Sequence, residues 1–109
     1  MNIVKFDRRR PITEFGSREA TVAGIARCSG RTHVVSIELE PGGLVGAHKA
    51  VGPQLFLVVA GDGWVRANGE RVPVRAGDAI YWDDGEWHET GSHAGLSAVV
   101  VEAERIEPV

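Results

Sequence analysis

The sequence predicts one small all-β domain, an antiparallel sandwich or barrel with little or no helix. The chain contains 14 glycines and five prolines. They interrupt it about every ten positions, a spacing typical of short strands joined by turns. No segment shows a helical period of apolar residues. About eight or nine strands fit the chain, and this number is typical of small sandwiches and barrels.

Length and composition exclude several kinds of protein. A chain of 109 residues has the size of one domain, so we expect residues 1–109 to fold as a unit. The net charge of −3 argues against a nucleic-acid surface, which is usually basic. No apolar run approaches the roughly 18 residues of a membrane helix, so we expect no membrane partner. The single Cys28 and the lack of an apolar signal segment near Met1 predict a cytoplasmic protein.

The strands are predicted from alternation and from the turns that end them. Residues 35–40 alternate between apolar and polar side chains, and Pro-Gly-Gly at 41–43 stops them. Asn68-Gly69 lies between two further strand segments and suits the two positive φ values of a type I′ hairpin turn. Other strands are predicted at residues 22–27, 55–60, 71–75, 78–82 and 96–101.

The strand at residues 55–60 is apolar on both faces, so its outer face must also be covered. One candidate cover is residues 3–6 of an N-terminal arm, residues 1–20. The other is a second subunit, against which that arm would pack. Because an isologous dimer is the commonest way to cover such a patch, we expect a homodimer.

The histidines are the residues most suited to chemistry. His48 follows the turn at 41–43, and Gln54 lies six residues later, on the same face if the strand runs straight. His88 follows a second turn, Asp83-Asp84-Gly85. Two imidazoles and an amide oxygen inside a barrel would supply three ligands to a divalent ion and leave positions open for a substrate. The alternative is that each histidine is an ordinary hydrogen-bonded residue of the core or rim.

Residues 42–61 resemble the first motif of the cupin superfamily. That motif has glycine, five residues, His-x-His, three or four residues, glutamate, six residues and glycine. Here Gly42, His48 and Gly61 occupy their positions with every spacing kept, whereas Ala50 replaces the second histidine and Gln54 replaces the glutamate.

Residues 77–92 resemble the second cupin motif, which ends in histidine, three residues and asparagine. The chain has Gly77, Gly85, His88 and Ser92 at the matching positions, again with every spacing kept. The resemblance implies a single-domain antiparallel jelly-roll β-barrel, in agreement with the number of strands. It also implies a divalent metal ion bound near both motifs.

The metal site implied by the resemblance consists of His48, Gln54 and His88. A set without a carboxylate should hold Zn, Ni, Fe, Mn or Cu more weakly than the usual three histidines and a glutamate. His33 would complete the set if Val35, Ile37 and Leu39 face inward, because it continues their phase. Otherwise His33 is an ordinary strand residue.

Aromatic residues near the two motifs are candidates for the wall of a substrate pocket. Ligand sites are mostly apolar with a few placed polar groups, and the candidates are Phe56, Tyr81, Trp82 and Trp87. The alternative is that they only pack the core, as large aromatic residues do in small β proteins.

Three functions are compatible with these residues. The first is a metal-dependent oxygenase, isomerase or cyclase acting on a small metabolite in a central pocket. The second is a metal-free sensor or accessory protein that binds a small molecule without catalysis, and the change of glutamate to Gln54 favours it. The third is an interaction protein that works through the apolar outer face of residues 55–60.

Overall fold

The computed structural model describes residues 1–109 and contains ten β-strands and no helix, which confirms the predicted all-β class. None of its segments is a helix long and apolar enough to cross a membrane. The strands are β1 (Asn2–Lys5), β2 (Arg10–Pro11), β3 (Thr21–Val22), β4 (Ala26–Leu39), β5 (Leu44–Lys49), β6 (Gln54–Arg66), β7 (Val72–Arg75), β8 (Asp78–Trp82), β9 (Trp87–Gly91) and β10 (Leu96–Pro108).

The long strand β6 belongs to both halves of the barrel. Its first residues pair with β8 and β10 in a sheet of order β1-β8-β6-β10-β4. Its last residues pair with β7 and β9, and β9 pairs in turn with β5. The strand changes sheets near Gly61, which has a φ of +77° and where an added Cβ would lie 2.2 Å from the carbonyl oxygen of Gly95. Only glycine therefore fits this crossing point.

The core lies between the two halves and is formed by alternate residues of β6, β8 and β10. The largest fully buried side chains are Val58, Val65, Ile80 and Trp82. On the outer face of β6, Leu55 is only 2% exposed within the single chain, whereas Val59 is 53% exposed. The outer face that was predicted to need a cover is therefore covered by the chain itself at one end and open at the other.

The N-terminal arm makes its first contacts within the chain. Residues 2–5 form β1 and pair antiparallel with β8, and Phe6 donates a backbone hydrogen bond to Gly77. The later part of the arm contributes β2 to a two-stranded hairpin with β3.

The turn at Asn68-Gly69 differs from the predicted type I′ hairpin. Gly69 has a φ of +76°, but Asn68 does not have the positive φ that a type I′ turn requires. The last paired residues are Val65 and Val72, so the connection is longer than two residues. β6 continues past Val65 only along β9, where Arg66 pairs with Glu89 and forms an ion pair with it. The connection to β7 therefore spans residues 66–71.

Candidate functional site

One row of inward-facing residues crosses the first sheet near the start of β6. Gln54 lies opposite Trp82 of β8 and opposite Glu102 of β10. Glu102 in turn lies opposite His33 of β4. Side chains of directly opposed residues point to the same face of a sheet, so these four residues form a lateral row. The next row inward is apolar and consists of Ile80, Phe56, Val100 and Val35.

The two motif histidines face this row from the second half of the barrel. His48 of β5 and His88 of β9 are register partners, with ring centroids 4.3 Å apart. The ring of His88 stacks on Trp82, with centroids 4.5 Å apart and planes inclined by 21°. Trp82 therefore connects the polar row to the histidine pair. The chain does not run straight from His48 to Gln54, because residues 50–53 separate β5 from β6. The two residues still meet at the same cavity.

Hydrogen bonds fix the tautomer of both imidazoles. The Nδ1 atom of His48 lies 2.8 Å from the carbonyl oxygen of Gly46, and that of His88 lies 3.1 Å from the carbonyl oxygen of Glu86. A carbonyl oxygen only accepts, so each Nδ1 carries the hydrogen and donates it. In the neutral ring, Nε2 then keeps a free lone pair, the arrangement found in most metal-binding histidines.

Burial keeps His88 in this neutral form. Desolvation lowers the pKa of His88, and the nearby His48 lowers it further. These effects outweigh the backbone hydrogen bond to Glu86 and its carboxylate, which act in the opposite direction. His88 therefore favours the neutral imidazole.

Gln54 is oriented in a similar way by Glu102. The amide Nε2 of Gln54 donates to Oε1 of Glu102 across 3.4 Å. Because an ionised carboxylate only accepts, the amide must present its nitrogen to Glu102. Its oxygen, Oε1, is then left free.

These free atoms open into a cavity of about 90 Å³. No buried side-chain nitrogen or oxygen lacks a hydrogen-bond partner, so the unused atoms of His88 and Gln54 are accessible, and both residues line the cavity. All three free atoms are acceptors when the imidazoles are neutral. The wall consists of Val35, Ile37, Val45, His48, Gln54, Phe56, His88, Thr90, Val100 and Glu102.

The structure brings His48, Gln54 and His88 together, as the motif spacing predicts, but leaves His33 outside the cavity. The ring of His33 is 72% exposed, and its Nδ1 lies 3.9 Å from Oε2 of Glu102. His33 lines a neighbouring groove with Arg31. Glu102, which lines both the cavity and the groove, is not among the residues predicted from the sequence. Its signal was the inward phase of residues 96, 98 and 100, which residue 102 continues.

The predicted wall residues divide into two groups. Phe56 lines the cavity and Trp82 supports it by stacking on His88. Tyr81 and Trp87, which are the strand neighbours of Trp82 and His88, do not line this cavity. Successive side chains of a strand point to opposite faces, so these two point outward. Tyr81 donates its hydroxyl to the carbonyl oxygen of Ile25, and Trp87 is exposed.

The donor atoms at the cavity suit a divalent transition metal. No group of three His, Cys, Asp or Glu side chains is arranged to hold an ion. The candidate metal-binding atoms on residues that line the cavity are two imidazole nitrogens and the Gln54 amide oxygen. Imidazole is a good ligand for Zn, Cu, Fe and Ni, and the Nδ1 hydrogen bonds hold each ring for that role.

Fold and site together define a small antiparallel β-barrel with a ligand cavity between its two halves. A family model described as a cupin domain matches residues 35–103, well over half of the chain. The chain therefore belongs to the cupin family, which confirms the resemblance of its two motifs.

Comparison with known proteins gives relatives of this domain. The chain is 40% identical over 53 residues to an oxalate-binding protein of Thermotoga maritima, covering 48% of this chain and 44% of the relative. A crystal structure of a predicted oxalate decarboxylase of Thermotoga maritima aligns with a TM-score of 0.58 and 30% identity, over 70% of this chain and 65% of that one. The chain thus spans less than two thirds of each of these relatives.

A second solved structure shows the same fold over nearly the whole chain. It is a cupin superfamily protein from Desulfitobacterium hafniense, with a TM-score of 0.65 and 13% identity over 96% of this chain and 100% of that one. The likeness confirms the cupin barrel.

Proposed function

We propose that this cupin binds a small dicarboxylate of about the size of oxalate through a divalent metal ion held by His48, Gln54 and His88. The observation that carries the proposal is the hydrogen-bond polarity of the cavity. The free polar atoms of His48, Gln54 and His88 are all acceptors. A carboxylate ligand also only accepts hydrogen bonds, so these three atoms offer it no favourable partner, and the hydroxyl of Thr90 is the hydrogen-bond donor that the wall offers it.

A metal ion removes this conflict because it accepts lone pairs from both sides. Bound by the two Nε2 atoms and the amide oxygen, it would supply a Lewis acid at which carboxylate oxygens bind. Protonated imidazoles would be the other source of positive charge, but the lowered pKa of His88 opposes protonation. The chain's own residues thus favour a cation over a proton as the partner of an anionic ligand.

The size of the cavity limits the ligand to a few heavy atoms. About 90 Å³ is well below the roughly 300–1,000 Å³ of sites for drug-sized molecules. The floor below the polar row is apolar, with Phe56, Val100 and Val35, so polar groups of the ligand must face the histidines. The partial relationship to an oxalate-binding protein supports the same class of ligand.

Metal content and calorimetry test this proposal. We expect close to one equivalent of metal per chain, and oxalate binding only in metal-loaded protein. The variant His48→Ala/His88→Ala should lose metal and oxalate binding by at least about a hundredfold, a free energy of about 2.7 kcal/mol. His93→Ala, which changes an exposed histidine, is the matched control. Oxalate binding of equal strength after metal removal would contradict the proposal.

A metal-free binding protein is the second candidate, and the ligand positions themselves favour it. Ala50 offers no donor and Gln54 offers no charge where the cupin motif has a histidine and a glutamate. Such a site would bind a ligand that donates hydrogen bonds to the three free acceptors. Thermal-shift screening of metal-free protein would detect it, as stabilisation by neutral or cationic donors but not by dicarboxylates.

We also propose a homodimer formed through the outer face of the first sheet. Val34 of β4 and Val59 of β6 are 58% and 53% exposed there, and Leu57, Val99 and Val101 lie between them, half-buried. Apolar residues exposed together on one sheet face favour association. Light scattering on the purified protein gives the mass directly.

A further inference from the structure

Glu102 is a carboxylate that neither cupin motif contains. It lies on β10, directly between Gln54 of β6 and His33 of β4. Its side chain is 37% exposed, and the ion pair recorded for it is the 3.9 Å contact with His33. Neither a lysine nor an arginine lies within ion-pair distance of this half-buried charge.

Packing alone does not account for a glutamate at this position. The inward residues that precede it on β10 are Leu96, Ala98 and Val100, all buried and apolar. Withdrawing a carboxylate from water costs free energy unless a cation or several donors compensate for it. Gln54 supplies one hydrogen bond, at the long distance of 3.4 Å. Glu102 is thus an incompletely compensated anion at the edge of the cavity.

The hydrogen bond from Gln54 to Glu102 decides what Gln54 offers to a ligand. An amide side chain can turn by 180° and exchange its oxygen for its nitrogen. With the carboxylate of Glu102 beside it, only the orientation with Nε2 toward Glu102 is favourable. Without that carboxylate, the amide could present its two N–H groups to the cavity, where they would repel a cation.

We propose that Glu102 is the carboxylate of this site: it orients Gln54 and provides, from the neighbouring strand, the negative charge that position 54 lacks. This inference rests on the proposed metal site. Glu102 acts through Gln54 and is therefore a positioning residue. Glu102, the neighbour of Gln54 across the sheet, would thus supply the negative charge that the glutamate supplies in the cupin motif.

An exchange of the two side chains tests the inference. Glu102→Gln should weaken the affinity for Zn²⁺ or Co²⁺ by about ten- to a hundredfold, the usual effect of losing a partner that orients a ligand. The double variant Gln54→Glu/Glu102→Gln should restore at least the affinity of the original protein, because it returns one carboxylate to the same row. Glu104→Gln removes an equal charge from an exposed position of β10 and is the control.

Titration calorimetry with the metal alone gives the affinities, and urea unfolding of the metal-free proteins reports on folding. Metal binding by the original protein and by Glu102→Gln with equal affinity would overturn the inference and leave the proposed metal site intact. Absence of metal binding by the original protein would overturn both. If Glu102→Gln is less stable and the double variant does not recover metal affinity, Glu102 is a structural residue and the inference is wrong.

A second measurement needs no metal. In the metal-free protein, the side-chain amide resonances of Gln54 should shift strongly in Glu102→Gln and stay unchanged in Glu104→Gln. Unchanged resonances in both variants would mean that Glu102 does not orient the amide.

Discussion

Two polar centres of this barrel use their hydrogen-bonding atoms in opposite ways. Asp78, at the start of β8, is buried and has both oxygens occupied. Oδ1 accepts from the Lys5 ammonium at 2.8 Å, and Oδ2 accepts from the Arg75 backbone N–H at 2.9 Å. At the cavity, His48, Gln54 and His88 each spend one atom on the protein and keep an acceptor free. Complete internal pairing indicates a structural role, and acceptors held open indicate a binding role.

Each centre has a group whose pKa is lowered, but the causes differ. Burial on its own raises the pKa of Asp78, but the hydrogen bonds from Lys5 and Arg75 outweigh it, so the pKa lies below its ordinary value. Burial lowers the pKa of His88, and its backbone hydrogen bond does not reverse the shift. The fold thus favours the charged form of Asp78 and the neutral form of His88.

The largest expected effect is on stability, from Asp78→Ala. This change leaves the Arg75 N–H without its acceptor and the Lys5 ammonium without its partner. Losing two hydrogen bonds to a charged group should lower the free energy of unfolding by about 3 kcal/mol. Urea denaturation measures it. Metal affinity should not change, and a loss of affinity as large as that of a histidine variant would remove the distinction between the two centres.

Asp78→Asn is the milder control for this prediction. Its amide oxygen can still accept one hydrogen bond, so about half of the loss is expected. A variant as unstable as Asp78→Ala would show that the charge, and not the hydrogen bonds, stabilises the turn.

The second-largest expected effect is a gain in metal affinity at the cavity. Gln54→Glu places an anionic oxygen among the free acceptors and should tighten Zn²⁺ binding by about tenfold or more, since carboxylates are stronger ligands than amides. It also places two carboxylates side by side, because Glu102 lies directly opposite. The metal-free variant should therefore be less stable than the original protein. Unchanged affinity would show that Gln54 does not face the ion.

A smaller effect is expected in the acid dependence of stability. The pKa of Asp78 is lowered on folding, so its contribution is present above the ordinary value of 3.8 and is lost as the pH falls through the folded value. The difference in unfolding free energy between the original protein and Asp78→Asn should be full at neutral pH and shrink in acid. Urea midpoints measured over decreasing pH test this, and a difference that grows in acid would contradict it.

The smallest effect on either centre is expected from a substitution on the outer face of the first sheet. Val59→Lys should convert a dimer to a monomer in light scattering, because it puts a charge into the exposed apolar patch. Val59 points away from both centres, so metal affinity should stay within about twofold, or 0.4 kcal/mol. The exposed Val51, outside that face, is a suitable control as Val51→Lys. A monomeric original protein would contradict the proposed dimer.

Much of the site could be predicted from the sequence because the motif spacings carry it. His48, Gln54 and His88 meet at one cavity even though the chain turns between the first two. The family and the all-β class also followed from the motifs and the turn pattern. Motif spacings and turn residues can be read from the sequence because they depend on neighbours along the chain.

The residues that were missed or misplaced depend on neighbours across the sheet. Glu102 reaches Gln54 only because β10 pairs with β6. The sequence of neither strand alone determines the register of this pairing. Tyr81 and Trp87 differ from Trp82 and His88 by one position, which reverses the face. Asn68-Gly69 suits a tight turn, but the pairing of β6 with β7 ends at Val65 and Val72, which are too far apart along the chain for a two-residue turn.

The lateral row of Trp82, Gln54, Glu102 and His33 has a consequence for how such barrels diversify. Positions in one row lie at the same depth, so a carboxylate and an amide can exchange strands without any change of backbone. Two substitutions, in evolution or by design, could therefore transfer a carboxylate from one strand to its neighbour while the barrel keeps its shape. Searches that look for ligands only at fixed sequence spacings would overlook the sites produced in this way.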